Sequence, residues 1–229
     1  GGRGPEEGKA VMSHFSVLVL TGEGQDVEGL LLPYMENCCG EPPREYMEFF
    51  EDEECEVDEE TGRRGYWQNP NARWDWYEVG GRFRGMLRAS SGSRAVPERL
   101  GGRYPEGRYD SARVGDCDFG PDEAARAAAE EFWARAVEGV GDGAPLTLRS
   151  PEFYLRRYGD AATFAELESA FSTWAVVTPD GEWHEQGEMG WWGLSSETDE
   201  EALGWLRGFR GRFLDTADPD WTATVVDCH

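Results

Sequence analysis

Short apolar runs rich in β-branched residues stand near both ends of the chain. The run HFSVLVL, which begins at His14, is almost continuously apolar and is followed by the turn residues GEGQD. A run of this length and composition predicts a buried strand. The run TATVVDCH, which ends at His229, predicts a second strand.

Helical spacing of apolar residues dominates the middle of the chain. Apolar side chains at Val27, Leu30, Leu31 and Tyr34 predict a helix that extends to Cys38. The clearest pattern predicts a helix over 121–138, with Pro121 in its first turn and one face formed by Ala124, Ala128, Phe132 and Ala136. Shorter helices are predicted at 151–158 and 163–171, and a last helix is predicted to be capped by Ser196, with a stripe of Leu203, Leu206, Phe209 and Phe213.

Two further segments have the pattern of paired strands. TWAVVTPDGEWHEQ places a Pro-Asp-Gly turn between two strand-like runs, and WDWYEV and RFRGMLR flank Gly80 and Gly81 as a predicted hairpin or bulged pair. Strands at both ends with helices between them predict an α+β fold, with a single mixed or antiparallel sheet and helices packed mainly on one face.

The 229 residues favour one domain over 12–229. Residues 1–11 have no periodicity, which is typical of an upstream extension or a tag-like segment. The acidic block at 51–60 lacks the ligand order of a calcium-binding EF-hand and is predicted to be a loop, as is the Gly- and Arg-rich stretch at 90–109.

The net charge and the cysteine content limit the kinds of binding partner and the cellular compartment that fit this chain. The net charge is -24, which repels duplex nucleic acid and anionic membranes, and no apolar run approaches the roughly 18 residues of a membrane span. The five cysteines are an odd number without CxxC spacing, so they predict a reducing cytoplasm.

Four groups of polar residues stand in aromatic or apolar surroundings. Asp75 stands between two tryptophans, and Arg82 follows a Gly-Gly pair. Arg82 could bind a phosphate or carboxylate, or could form a buried ion pair with Asp75. Asp116 and Asp118 at i, i+2 fit metal binding or acid–base catalysis, or alternatively helix capping.

The other two groups lie near the end of the chain. In GEMGWWG, Glu188 is a candidate catalytic carboxylate, and Trp191 and Trp192 fit either a stacking pocket or a core plug. His14, Asp227 and His229 would converge if the first and last strands are neighbours. Such a set could bind a divalent metal ion, or could act as a general base with its orienting carboxylate.

Five segments together resemble an uncharacterised family of proteins encoded by bacteriophages and prophages: MSHFSVLVL, NPNARWDWYEVGGRF, ARVGDCDF, GEWHEQGEMGWWG and VVDCH. The resemblance covers most of the chain from Met12 to His229, although relatives often carry a longer insert before the late hairpin. It implies a bacterial or phage-infected host cell and no particular activity. The polar positions shared with the family are His14, Asp75, Tyr77, Arg82, Asp116, Asp118, Glu188, Asp227 and His229.

Three functions are compatible with these patterns. The first is a hydrolase acting on a phosphorylated or nucleotide-like small molecule, in which a metal ion activates water, Arg82 binds the anionic group and Trp191 or Trp192 stacks on the organic part. The second is a non-catalytic acidic phage protein that binds a basic host factor or sequesters a ligand. The third is a structural component without a pocket.

Overall fold

The computed structural model describes residues 14–37, 42–90, 107–141, 149–187 and 198–229. Its strands are β1 (Phe15–Thr21), β2 (Glu48–Glu51), β3 (Gly65–Gln68), β4 (Tyr77–Val79), β5 (Leu87–Arg88), β6 (Arg108–Tyr109), β7 (Ser111–Arg113), β8 (Ala175–Val177), β9 (Trp183–Glu185) and β10 (Thr222–Cys228). Its α-helices are α1 (Val27–Leu31), α2 (Glu123–Ala136), α3 (Pro151–Tyr158), α4 (Ala161–Ser169) and α5 (Asp199–Phe209), the last continuing into a π-helical turn, Arg210–Leu214.

A six-stranded sheet forms the centre of the fold. Its order is β4-β10-β1-β8-β9, and β7 pairs with the part of β10 that β4 leaves open. The pair β1–β8 is parallel and the other pairs in this sheet are antiparallel. The predicted α+β class with a mixed sheet is therefore confirmed, as are the strands at both ends and the hairpin around Pro179-Asp180-Gly181.

Both faces of this sheet are covered by apolar side chains, because alternate residues of a strand point to opposite sides. Leu18 and Leu20 of β1 face α5, where Trp205 and Phe209 are buried. Val17 and Val19 face the other side, where α1 and Trp74 cover them. The apolar stripe predicted for the last helix is confirmed, but the N-cap is Thr198 in a capping box with Glu201, and Ser196 lies outside the described residues.

Helices α2, α3 and α4 share a third apolar cluster around Trp133 and Phe164. Helix α2 starts two residues later than predicted, since Asp122 is the N-cap and Pro121 precedes it. The predicted apolar face was wrong in part: Ala124 and Ala128 are exposed and Ala129 and Trp133 are buried instead, but Phe132 does pack against the cluster.

Other local predictions were corrected by long-range pairing. The hairpin predicted around Gly80 and Gly81 does not form, because β4 pairs with β10 and β5 pairs with β6. The helix predicted from Val27 to Cys38 ends at Leu31 and passes into a single 3-10 turn that contains Pro33.

The acidic block at 51–60 begins at the last residue of β2 and otherwise lies in the connection between β2 and β3. In the described parts of the chain, no helix is long and apolar enough to cross a membrane.

Candidate functional site

The start of β1 and the end of β10 bring together the residues that sequence reasoning grouped as a metal or base site. In the antiparallel register Phe15 lies opposite Cys228, so the next residues, His14 and His229, are neighbours. Nδ1 of His14 lies 2.8 Å from Oδ1 of Asp227. The convergence of both histidines with Asp227 follows directly from this strand pairing.

Asp75 completes the group from the segment before β4. Nδ1 of His229 lies 2.9 Å from Oδ1 of Asp75. Two backbone hydrogen bonds fix this pair: the N–H of Asp75 donates to the carbonyl of His229 at 2.9 Å, and the N–H of His229 donates to the carbonyl of Trp76 at 3.0 Å. We refer to His14, His229, Asp75 and Asp227 as the His–Asp cluster.

The two imidazoles of the His–Asp cluster lie side by side. Their ring centroids are 4.8 Å apart, and Trp76 places its ring edge-on to both, at 6.3 Å from His14 and 6.4 Å from His229. The carboxylates are buried behind them, with side chains 2% exposed for Asp227 and 7% for Asp75, against 17% and 15% for His14 and His229. Each imidazole is therefore held at Nδ1 by a buried carboxylate, which leaves Nε2 for chemistry.

The Gly80-Gly81 pair lets the backbone pass against two buried carboxylates. A Cβ on Gly81 would lie 2.4 Å from Cβ of Asp227, and one on Gly80 would lie 2.4 Å from Oδ2 of Asp110. Both glycines have positive φ, at 74° for Gly80 and 48° for Gly81. The close approach expected at these glycines is thus an approach to carboxylates of the same chain.

Asp110 is a buried carboxylate that sequence reasoning missed. It is 2% exposed, and its Oδ1 accepts the backbone N–H of Gly85 at 2.6 Å. Its position after a Gly- and Arg-rich stretch gives no periodic pattern, so only the spatial contact with Gly80 and Gly85 identifies it. It supports the turn that carries Arg82.

Arg82 follows the Gly-Gly pair, and its side chain is exposed. Its backbone N–H donates to Oδ2 of Asp227 at 2.9 Å. The alternative of a buried Asp75–Arg82 ion pair is wrong, because the Arg82 side chain is exposed and Asp75 bonds His229. No ion pair or hydrogen bond joins the Arg82 guanidinium to another side chain in the described ranges, so an exposed cation stands beside the cluster.

An open cleft of about 310 Å³ adjoins the cluster at His14. Its walls come from the start of β1, from Phe83 in the turn after Gly81, and from the segment that leads into β8. The lining residues are His14, Phe15, Ser16, Phe83, Ser172, Thr173, Trp174 and Gln186. This volume is at the lower end of the range for small-molecule sites.

The structure does not bring Asp116 and Asp118 into the His–Asp cluster. Arg113, at the end of β7, lies opposite Thr222, five residues along β10 from Asp227 and thus about 16 Å away along the strand. Asp116 pairs with Arg113, while Asp118 is 68% exposed, accepts the N–H of Gly120 and pairs with Arg88. Asp118 therefore stabilises a loop and does not cap α2.

Tyr77 also lies away from the cluster. It is paired with Cys228 on β10, on the opposite face of the sheet from Asp227, and its ring packs edge-on against Trp74 at 5.1 Å. Burial raises the pKa of its hydroxyl, as expected for a side chain in the core. The remaining predicted residues, Glu188, Trp191 and Trp192, lie outside the described residues.

The geometry of the His–Asp cluster differs from that of a metal centre. Both oxygens of Asp227 are engaged, one by His14 and the other by the backbone of Arg82, so this carboxylate orients an imidazole. Across the described residues, no group of three or more His, Cys, Asp or Glu side chains is arranged to hold a metal ion.

Cys228 is the thiol nearest the cluster in sequence. Burial, together with the charges of Asp227 and Asp75, raises its pKa far above the ordinary value for cysteine. A thiol held in the protonated form is a poor nucleophile. The reactive groups of this region are therefore the two imidazoles.

Comparison of the chain with protein-family models, with curated proteins and with solved structures returns no match.

Proposed function

We propose that this protein is a hydrolase that cleaves a phosphate ester in a nucleotide-like small molecule, with His14 and His229 as the general acid–base pair. The observation that carries the proposal is the pair of adjacent, partly exposed imidazoles, each bonded through Nδ1 to a buried carboxylate. Two imidazoles fixed in this way can serve one reaction as proton donor and proton acceptor.

The roles follow from the position of the cleft. His14 lines the cleft and His229 does not, so the organic group of the substrate would lie on the side of His14. His229 then takes a proton from water as the new P–O bond forms. His14 gives its proton to the leaving oxygen as the ester bond breaks, and the two buried carboxylates stabilise the imidazolium ions.

Two neighbours support a phosphate ester as the substrate. The exposed Arg82 provides a cation suited to bind phosphoryl oxygens beside Asp227. Trp76, 46% exposed, provides an aromatic wall against both imidazoles. In a chain of net charge -24, an exposed arginine at this point attracts the anionic group locally.

The test is a hydrolysis assay with wild-type protein and matched histidine variants. The panel contains p-nitrophenyl phosphate, bis-p-nitrophenyl phosphate, nucleoside monophosphates and cyclic nucleotides. We expect His14→Gln and His229→Gln each to lower kcat by about 100-fold or more. His184→Gln is the control, because this third histidine lies on β9 against Phe213 and outside the cluster.

The outcomes are distinct. A folded protein that cleaves no member of the panel contradicts the proposal, and so does activity that survives both cluster variants. Activity that is lost with a chelator and restored by a divalent metal would replace the acid–base assignment with the metal-assisted reaction that the sequence also suggested. Activity that resists the chelator and follows a bell-shaped pH profile supports the acid–base pair.

A second candidate function rests on the β2–β3 hairpin. Its loop carries exposed glutamates, and Phe50 and Tyr66 stack at 5.9 Å with 38% and 45% exposure. An acidic, aromatic hairpin fits a non-catalytic phage protein that binds a basic host factor. This candidate predicts binding to a basic protein that weakens steeply with salt, and binding that is insensitive to salt would contradict it.

A further inference from the structure

The cleft beside His14 differs in charge from the rest of the molecule. Asp, Glu, Lys and Arg make up 30% of the chain, but none of the eight lining residues belongs to these types. Among the described residues, His14 is the one lining side chain that can carry a charge. The described walls therefore hold no cation that would bind a phosphate away from the His–Asp cluster, and they present an uncharged surface to the part of the substrate next to that phosphate.

The walls combine aromatic and neutral polar groups. Phe83 is half-buried and packs against the core behind it. The hydroxyls nearest the sheet are already engaged: Oγ of Ser16 accepts the N–H of Trp174 at 3.2 Å, and the Thr173 hydroxyl donates to the carbonyl of Ala175 at 2.7 Å. Ser172, the residue before Thr173, also lines the cleft.

From these features we infer that the cleft is a nucleobase-binding subsite: it holds the uncharged, planar heterocycle of the substrate against Phe83. This inference rests on the proposed function for the position of the phosphate at His14 and His229. A nucleobase is planar, uncharged at neutral pH and rich in hydrogen-bond acceptors. It matches an aromatic wall flanked by neutral polar side chains, as in other sites where bases stack on aromatic side chains.

The experiment measures binding without chemistry. Adenosine, uridine and inorganic phosphate are titrated separately into the whole protein by isothermal titration calorimetry. We expect the nucleosides to bind, and Phe83→Leu to weaken that binding at least about fivefold through loss of stacking. Phe50→Leu is the matched control, because Phe50 is an exposed aromatic on the separate β2–β3 hairpin, and nucleoside affinity should be unchanged.

A second variant covers the case in which Phe83→Leu disturbs the core. Ser172→Phe places a bulky group in the cleft from a half-buried loop position, and we expect it to abolish nucleoside binding while the circular dichroism spectrum stays that of the wild type. The inference is overturned if the wild-type protein binds neither adenosine nor uridine. Unchanged affinity in both variants overturns it as well.

The same data separate this inference from the proposed function. Nucleoside binding that depends on Phe83 and Ser172, in a protein that cleaves no phosphate ester, keeps the nucleobase subsite and rejects the hydrolase. Hydrolysis that depends on His14 and His229, without nucleoside binding, keeps the hydrolase and rejects the subsite.

Discussion

At the scale of single residues, Asp227 serves the His–Asp cluster with both of its oxygens. Oδ1 holds Nδ1 of His14, and Oδ2 accepts the backbone N–H of Arg82. In Asp227→Asn the bonds to a charged carboxylate become bonds to a neutral amide, and a hydrogen bond to a charged group contributes about 1 kcal/mol more than a neutral one. We expect the free energy of unfolding of the Asp227→Asn variant, measured by urea denaturation, to be lower than that of the wild type by this amount.

The same substitution should change the tautomer of His14. If the side-chain NH₂ of the Asp227→Asn variant faces Nδ1, the neutral imidazole carries its proton on Nε2 instead. The carboxylate that stabilises the imidazolium is lost at the same time, so the hydrolysis rate should fall. NMR spectra of the imidazole nitrogens would report the tautomer, and an unchanged His14 spectrum in this variant would contradict the orienting role of the carboxylate.

Gly81 tests how closely the backbone must approach Asp227. In Gly81→Ala the new Cβ meets Asp227 Cβ at 2.4 Å, in addition to the strain of a positive φ. Gly24→Ala has a positive φ of 77° but open space around the new methyl group, so it isolates the backbone cost, of order 1 kcal/mol. We expect Gly81→Ala to destabilise the protein more than Gly24→Ala and to displace the His14 resonances. Equal unfolding free energies would contradict this.

At the scale of elements, Asp122 joins helix α2 to strand β6. Its Oδ1 accepts the backbone N–H groups of Ala124 and Ala125, and its Oδ2 pairs with Arg108. The hydrogen bond from Arg108 holds the pKa of Asp122 below its ordinary value. At pH values above the ordinary pKa of aspartate, the ionised carboxylate therefore contributes its full stabilisation of the fold. This contribution is lost as the pH falls through the lower pKa of the folded state.

We expect Asp122→Ala to lower the free energy of unfolding by about 1 kcal/mol at neutral pH, because the N-cap is lost. The difference from wild type should shrink as the pH falls and Asp122 itself becomes protonated. Asp122→Asn is the matched control, since it keeps an acceptor for the cap but removes the charge. Urea unfolding at several pH values measures all three proteins, and a difference that grows on acidification would contradict the assignment.

Local sequence patterns were sufficient for elements whose partners are close in the chain or whose apolar runs are unmistakable. The hairpin at Pro179-Asp180-Gly181 and the runs that became β1 and β10 are of this kind. The hairpin predicted at Gly80 failed because β4 pairs with β10, at the far end of the chain. The sequence pattern around Gly80 predicts the strand β4, but it does not indicate that β10 is the strand with which β4 pairs.

At the scale of the whole molecule, the candidate site depends on one non-local pairing. Once β1 and β10 are taken as neighbours, the approach of His14 to Asp227 and His229 follows from the strand register. The role of Asp75 does not follow, because its segment reaches His229 through backbone bonds that no periodicity encodes. Asp116 and Asp118 suggested a site through their spacing alone, and the register places them toward the other end of β10.

The charge of the whole molecule leads to a prediction about salt. With 46 acidic and 22 basic residues, the net charge of -24 opposes the compact state through self-repulsion. The Debye length falls from about 30 Å at 0.01 M salt to about 3 Å at 1 M. We therefore expect the Tm, measured by circular dichroism, to rise with sodium chloride across this range.

The β2–β3 loop supplies the matched variant for this prediction. Glu53, Glu54, Glu56 and Glu59 are exposed there, and replacing all four with Gln changes the net charge from -24 to -20. Because repulsion is strongest where like charges are adjacent, this variant should have the higher Tm at low salt and the smaller increase with salt. A Tm that does not change with salt in either protein would contradict the repulsion argument. It would show that the acidic surface has no effect on stability. An effect of the four glutamates would then have to be sought in binding to a basic protein, as the second candidate function requires.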